Sequence, residues 1–403
     1  MHGPKTAGVG RRVFLGGALG SLLVGPACST DGLAPLLDGG SADVAPVDPD
    51  LVAVHPFVNE GTLDKTGTGL AKTGKGLDAR KRIDLSTLGS ESLDVGAEAF
   101  FIRTERPDRL PQGEPRELRL GGLVEREIVI PTSELVALSR PMGVHLLECS
   151  GNTKDGAFGL ISATTWDGVP LSEVLGRITP KSTLPEARVL VAGFDDHSQP
   201  SEGGRSTPGA SWVFSRADLA KAGAFLATGM GGKPLLPDHG SPIRLMVPNF
   251  FGCACIKWVE RIDLVADDAP ATDHMKEFAA RTHQHVAFDL ARQYSAPKVE
   301  AAALCIRAEH RRVGGKVRLF LRGIVWGGTK PTELMRLFLD EAPGDPLFVK
   351  TPAASATTWG IWEYTGPALA PGIHSVRLGI EPIGTPQRRL ELGWYTRVFE
   401  VRA

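Results

Sequence analysis

At 403 residues the chain has room for two ordinary domains of about 150 residues each, and 42% of it is hydrophobic, enough for each to bury a core. Its 45 Lys and Arg balance 46 Asp and Glu, so no basic excess is available to hold nucleic acid or an anionic membrane surface. That balance argues against polyanionic partners.

The chain opens with Arg11-Arg12-Val13-Phe14-Leu15, then an apolar, Gly-rich stretch to Ala27, with no acidic residue before Asp31. The stretch is shorter than the roughly 20 apolar residues that cross about 30 Å of hydrocarbon. It resembles a twin-arginine export signal, which predicts a leader over 1–28 and a periplasmic or otherwise extracytoplasmic protein. Cys28, after Gly25-Pro26-Ala27, is either a lipidated first residue or part of the discarded leader. Residues 29–50 are rich in Gly, Ala, Asp and Pro and read as a flexible linker. Gly69–Gly76 nearly spells a phosphate-binding loop, but the Ser or Thr that would hold magnesium is missing and no apolar strand precedes it.

From about residue 97 the pattern predicts strands over 99–103, 117–120, 127–130, 144–149, 188–194, 243–247 and 254–265. Helices are predicted at 132–139, after Pro131, and at 215–222, where Ser215 and Asp218 form a cap-like start. The expectation is a mixed α+β domain over 51–295. Beyond about 296, alternating runs at 302–307, 316–325, 333–339, 372–380 and 390–401 are separated by Gly and Pro turns and predict a β-sandwich over 296–403.

Cys149 stands between an apolar strand and the turn Ser150-Gly151-Asn152. An isolated strand cysteine is ordinarily a packing residue, but a thiol at the end of a rigid strand, before a sharp turn, is also how a chain presents one thiolate to a metal. The other cysteines past the leader are Cys253, Cys255 and Cys305. Cys253 and Cys255 read as packing residues, as a redox disulfide, or, with His283 and His285, as a zinc site of unusual spacing.

Three blocks bear on the choice: Phe100-Phe101-Ile102-Arg103; Glu148-Cys149-Ser150-Gly151-Asn152 with Gly159-Leu160-Ile161-Ser162 and Trp166–Leu171; and Pro237-Asp238-His239-Gly240-Ser241-Pro242-Ile243-Arg244, followed by Ile256-Lys257-Trp258. In this order they resemble the sulfite oxidase family of molybdenum enzymes. The resemblance implies a molybdopterin-binding domain followed by an immunoglobulin-like domain, to which Gly323–Gly328 and Trp359–Trp362 are similar and through which the family dimerises. It makes Cys149 the molybdenum ligand, a soft thiolate for a metal that passes oxygen atoms. The cofactor contacts it implies are Phe101, Ile102, Arg103, Thr104, Glu105, Asp195, His239, Arg244, Cys255, Ile256 and Lys257. A planar arginine fork and a lysine point charge suit the phosphate that ends the pterin.

Arg103 matches an arginine that the family places near its oxyanion substrate, yet the neighbourhood departs from the pattern. Arg-Asn-His is here Arg103-Thr104-Glu105, and the arginine before Gly-x-Ile-Ser falls on or near Ala157. The active-site tyrosine has no clear counterpart, and His283 is the nearest polar candidate for a catalytic role. Losing attraction for a dianion makes sulfite one candidate among small sulfur-containing substrates. No Cys-x-x-Cys-His haem site occurs in the sequence, so electrons are expected to leave to a separate acceptor such as a cytochrome c. Reduction of S-oxides and a catalytically silent binding protein on the same fold are the alternatives.

Overall fold

The computed structural model describes residues 48–57, 73–75, 77–104, 110, 114–152, 158–181, 187–193, 210–348, 355–381, 387–391 and 393–402. The predicted leader, most of the predicted linker, Glu105, Ala157 and Asp195 lie outside them. Strands dominate, and the longest α-helix among the described residues, Arg216–Ala222, has 7 residues. Its start is as predicted: Ser215 Oγ accepts the Asp218 N–H at 3.0 Å. No helix among the described residues is long and apolar enough to cross a membrane.

Two sheets build the first half. One runs in the order Ser211–Phe214, Arg188–Gly193, Val259–Val265, Glu117–Gly122, Ile128–Pro131, with Val259–Val265 parallel to Glu117–Gly122. The other runs Lys233–Pro234, Phe225–Met230, Ile161–Pro170, Arg140–Glu148, and Arg244–Met246 also pairs with Phe225–Met230. A small sheet joins Thr73–Lys75, Asp78–Lys81 and Ile102–Arg103.

Past residue 300 two four-stranded sheets follow. The first is ordered Leu51–Pro56, Ala302–Val313, Lys316–Trp326, Gly360–Pro367, and the second Ala342–Phe348, Leu334–Leu339, Gly372–Glu381, Arg397–Val401. Both feed one buried cluster that includes Leu304, Leu321, Met335, Leu337, Val376 and Leu378. Leu51–Pro56 therefore belongs by pairing to a sheet built otherwise from the end of the chain.

Several elements differ from the sequence reading. In place of a strand over 99–103 there is a helical turn, Gly96–Ala99, and a two-residue strand, Ile102–Arg103. Asp94 explains the turn, accepting the Gly96 N–H at 2.7 Å, while Phe100 and Phe101 stack 5.3 Å apart in the core and give the apolar run its character. In place of a strand from 254 there is a 3-10 turn, Gly252–Ala254, and the strand begins only at Val259. Trp258 is held at φ +52, with its Nε1–H donated to Pro237 O at 2.9 Å, so Cys255–Lys257 stand off the ladder. The run at 390–401 is strand only from Arg397, after a 3-10 turn at Gly393–Tyr395. Ala342–Phe348 was hidden by Pro343 and Pro346, which read as turn signals.

Arg140–Glu148 pairs antiparallel with Ile161–Pro170 and lies between two cores. Leu147 and Trp166 pack into the first, and Leu146, Ile161 and Ala163 into the second, C-terminal one. Period-2 alternation then sends Glu148 toward the C-terminal side. Its carboxylate is 0% exposed and is fully engaged. Arg388 Nη1 and Nη2 donate to its two oxygens at 2.8 and 2.6 Å, Trp326 Nε1 donates at 2.9 Å and Asn152 Nδ2 at 3.0 Å. Burial alone would pull the Arg388 pKa down, but the Glu148 carboxylate outweighs it and raises it. Removing one partner of such a buried pair costs about 3–5 kcal/mol, because the other charge is left without compensation. Glu148→Gln is expected to lower unfolding stability by that order, and adding Arg388→Met to restore part of it; denaturant titration of the two variants beside the parent measures both.

Candidate functional site

Cys149 is the first residue beyond that strand, and alternation turns its side chain from Glu148's side toward the first core, against which it packs half-buried. The ladder continues one step through Cys149 N–H to Leu160 O at 2.9 Å. The chain then turns at once. Asn152 N–H returns to Cys149 O at 2.9 Å, Gly151 N–H points at Cys149 Sγ at 3.4 Å, and Asn152 Oδ1 accepts the Leu160 N–H at 2.8 Å. Asn152 thus ties the two ends of the turn to Glu148, and the sulfur stands on a clamped support.

Across from it, Arg244 is 2% exposed. Its Nη1 donates to His239 O and its Nη2 to Cys255 O, both at 3.0 Å, and its guanidinium lies 5.7 Å from the Trp166 ring. These fixed partners are neutral carbonyls, so its charge is not cancelled, and burial lowers its pKa to about 10. His239 is buried with its ring edge-on to Phe100 at 5.5 Å. Lys257 Nζ donates to Thr104 Oγ1 and to Asp238 O. Gly240 makes this approach possible: at φ +103, a Cβ there would fall 2.9 Å from Lys257 Cβ.

The Phe101–Thr104 segment closes the same side. Phe101 N–H donates to Ser162 Oγ at 3.2 Å, Ile102 is buried, and Thr104 N–H reaches Ala79 O at 2.9 Å. Arg103 sits cross-strand from Arg80, an arrangement in which like charges repel. Cys255 and Ile256 contribute backbone: Ile256 O accepts the Leu245 N–H at 2.8 Å, while the Cys255 thiol is buried against Val247. The structure thus brings Cys149, Arg103, Thr104, His239, Arg244 and Lys257 into one neighbourhood. His283 is exposed at φ +61, with its ring 5.7 Å from Phe251, which bridges to Glu148 beside Cys149, and its Nε2 3.4 Å from Glu300. Cys253 and Cys255 are free thiols, and no group of three or more His, Cys, Asp or Glu among the described residues is arranged to hold a metal. The disulfide and zinc alternatives are therefore not realised.

Burial lowers the Lys257 pKa to about 7, helped by the positive charges of Arg244 and Arg103 and opposed by Asp238 and Cys149. Arg82, a residue the sequence reading passed over, adds a guanidinium beside Cys149. A buried donor atom here, Arg244 Nε, has no hydrogen-bond partner among the described residues. Buried donors and clustered cations are costly until an anion meets them. A polyanionic pterin with a thiolate-bound metal has the complementary chemistry, so the residues present fit such a group.

The sign of the Lys257 effect follows from linkage. Its folded pKa lies below that of the unfolded chain, so the unfolded state binds more protons from about pH 7 up to about 10.4, and stability rises with pH across that window. Thermal unfolding of cofactor-free protein is expected to show this rise, and Lys257→Met to lack it.

Residues 109–273 match the family described as Oxidoreductase molybdopterin binding domain, a span that holds Cys149, His239, Arg244 and Lys257. Sulfite oxidase of Gallus gallus is 26% identical over 301 residues, covering 68% of this chain and 63% of that protein. A nitrate reductase (NADPH) of Mycosarcoma maydis is 29% identical over 254 residues, covering 55% of this chain and 25% of that protein. The chain therefore spans less than two thirds of the length of these relatives. In fold it is similar to the sulfane dehydrogenase SoxCD from Paracoccus pantotrophus, with a TM-score of 0.58, 18% identity, and coverage of 90% of this chain and 93% of that one. Residues 109–273 are thus a molybdopterin-binding oxidoreductase domain, similar to those of sulfite oxidases and nitrate reductases.

Proposed function

We propose that the chain is an exported oxidoreductase that adds an oxygen atom derived from water to a small sulfur-containing substrate, sulfite or a related sulfur anion, releasing two protons and passing two electrons to a separate acceptor such as a cytochrome c. The observation that carries this reading is the position of Cys149, at the end of a strand buried on both faces, beside Arg82, Arg103, Arg244 and Lys257. Sulfur as the element acted on is supported by the names of two similar proteins, a sulfite oxidase and a sulfane dehydrogenase.

Cys149 would hold the molybdenum, which when bound supplies two-electron oxygen-atom transfer. His239, Arg244, the Cys255–Lys257 bend and Phe101–Thr104 would hold the pterin, with Glu105 and Asp195 as further contacts by motif position. Arg244 is oriented in advance by two carbonyls, so its fork need not be ordered when the ligand arrives. Lys257, with its pKa near 7, takes up a proton when an anion is placed beside it. Arg103 stands at the substrate end, and the buried Phe100–Phe101 pair keeps water from the pterin side.

The two antiparallel sheets after residue 300 support the further reading that 296–403 forms an immunoglobulin-like sandwich through which two copies pair. Export by the twin-arginine route, with or without lipid on Cys28, suits an enzyme loaded with cofactor before it leaves the cytoplasm. His283 stays a candidate for a catalytic role, as its ring lies 5.7 Å from Phe251, which bridges to Glu148 beside Cys149.

Protein purified from a cofactor-competent host is expected to contain molybdenum and pterin in equal amounts and to reduce ferricyanide when given sulfite. Cys149→Ser is expected to abolish turnover while leaving far-ultraviolet dichroism unchanged. Wild-type protein free of both metal and pterin from that host would refute the reading, and reduced-dye oxidation by methionine sulfoxide without sulfite turnover would reverse the direction assigned.

A further inference from the structure

Arg82 follows the strand Asp78–Lys81 and lies against the far end of the turn that Cys149 begins. Its neighbour Ile83 donates its N–H to Gly159 O at 3.0 Å. Gly159, at φ +112, leaves the room for this: a Cβ there would stand 3.3 Å from Arg82 Cβ and 2.7 Å from Ile83 O. The side chain is partly buried, and its Nη1 is sealed from solvent with no hydrogen-bond partner among the described residues. Burial disfavours its charge, and so does Arg80 nearby, while the Cys149 sulfur favours it.

Nη1 in that position lacks an acceptor that the described residues supply. Arg244, by contrast, spends two of its nitrogens on carbonyls, and Lys257 is tied to Thr104 and Asp238. Those two cations come from the segment 237–258, whereas Arg82 comes from a different segment and packs along the Gly159 edge of the turn that Cys149 begins. The sulfur is the group common to the surroundings of Lys257 and Arg82. A ligand held by Arg244 and Lys257 is bound through that segment, and the Arg82 donor, on a separate segment, is available to a second anion near the same sulfur.

We propose that Arg82 is a substrate-binding residue whose Nη1 takes an anionic oxygen of a small sulfur oxyanion beside Cys149, and so sets a preference for charged over neutral substrates. This rests on the oxidoreductase reading above. It makes Arg82 a determinant of binding, with the bond-making left to the metal site.

The test uses loaded enzyme and sulfate, an oxyanion that is not turned over, titrated calorimetrically into wild type, Arg82→Met and Arg82→Lys. Losing one charge-assisted donor is expected to weaken sulfate binding about tenfold to a hundredfold in Arg82→Met. Arg82→Lys, which keeps the charge and loses the fork, should fall between. The KM for sulfite should rise in parallel while kcat stays within about threefold, the split that marks uniform binding, and molybdenum and pterin per chain should match wild type. Unchanged sulfate affinity and KM in loaded Arg82→Met would overturn the proposal, as would wild-type enzyme that binds no sulfate. Loss of molybdenum and pterin from both variants would also overturn it, by assigning the guanidinium to the cofactor. Should the wild type carry cofactor yet fail to oxidise sulfite, calorimetry still reads the oxyanion site, so the two proposals fail separately.

Discussion

One buried ion pair anchors the functional strand. Glu148 lies in a run that is apolar on both faces, and a carboxylate there is tolerable only because Arg388, Trp326 and Asn152 fill its hydrogen-bonding capacity. Arg388 stacks near Phe251 and Trp326 at 5.6 and 5.7 Å, so its own charge is held by aromatic faces as well as by the carboxylate. The pair joins a strand of the first half to residues far along the chain. Asn152 carries that constraint across to the turn, and Cys149, between the two, inherits its position from them.

The opposite side of the same turn shows the reverse electrostatic arrangement. At Glu148 every charge has its partner; near Cys149, Arg244 spends its fork on neutral carbonyls, and Arg82 Nη1 and Arg244 Nε have no hydrogen-bond partner among the described residues. A fold that satisfies one buried charge with four donors has no difficulty making ion pairs. The contrast therefore marks the cation cluster as a site shaped for something absent from the chain itself. This kind of local frustration is expected at functional positions and is offset by stability elsewhere.

Much of this was legible in the sequence, and the reasons are local. The helix at Ser215 rests on a cap within the same turn, and the strands at 117–122, 188–193 and 316–326 on simple alternation. Cys149, Arg244 and Lys257 were visible through the three sequence blocks, because chemistry had been packed into short runs. What stayed hidden depends on distance. Nothing near Arg388 in the sequence points to Glu148, 240 residues away, and Arg82 lies before every block, in a stretch with no motif of its own. The Cys255–Lys257 bend was read as strand because its residues are apolar and alternate, whereas its carbonyls go to Arg244 and Leu245. Leu51–Pro56 shows the same limit, as its partner strand begins only at Ala302.

The register of Arg140–Glu148 carries both the stability and the chemistry. Side chains on a strand alternate strictly, so a slip of one residue exchanges the two faces. In the observed register Leu146 and Glu148 face the C-terminal core while Leu147 and Cys149 face the first. A slip would drive the Glu148 carboxylate among Trp166, Phe100 and Ile256, leave Arg388 without its counter-charge, and point the thiol away from every cation that surrounds it. The irregularity needed to accommodate the strand is placed at its far end, between Pro141 and Gly143, where Arg140 and Pro141 are exposed. Burial on both faces thus makes the misregistered state costly twice over. The position of a reactive sulfur is thereby fixed by the same alternation that builds the core.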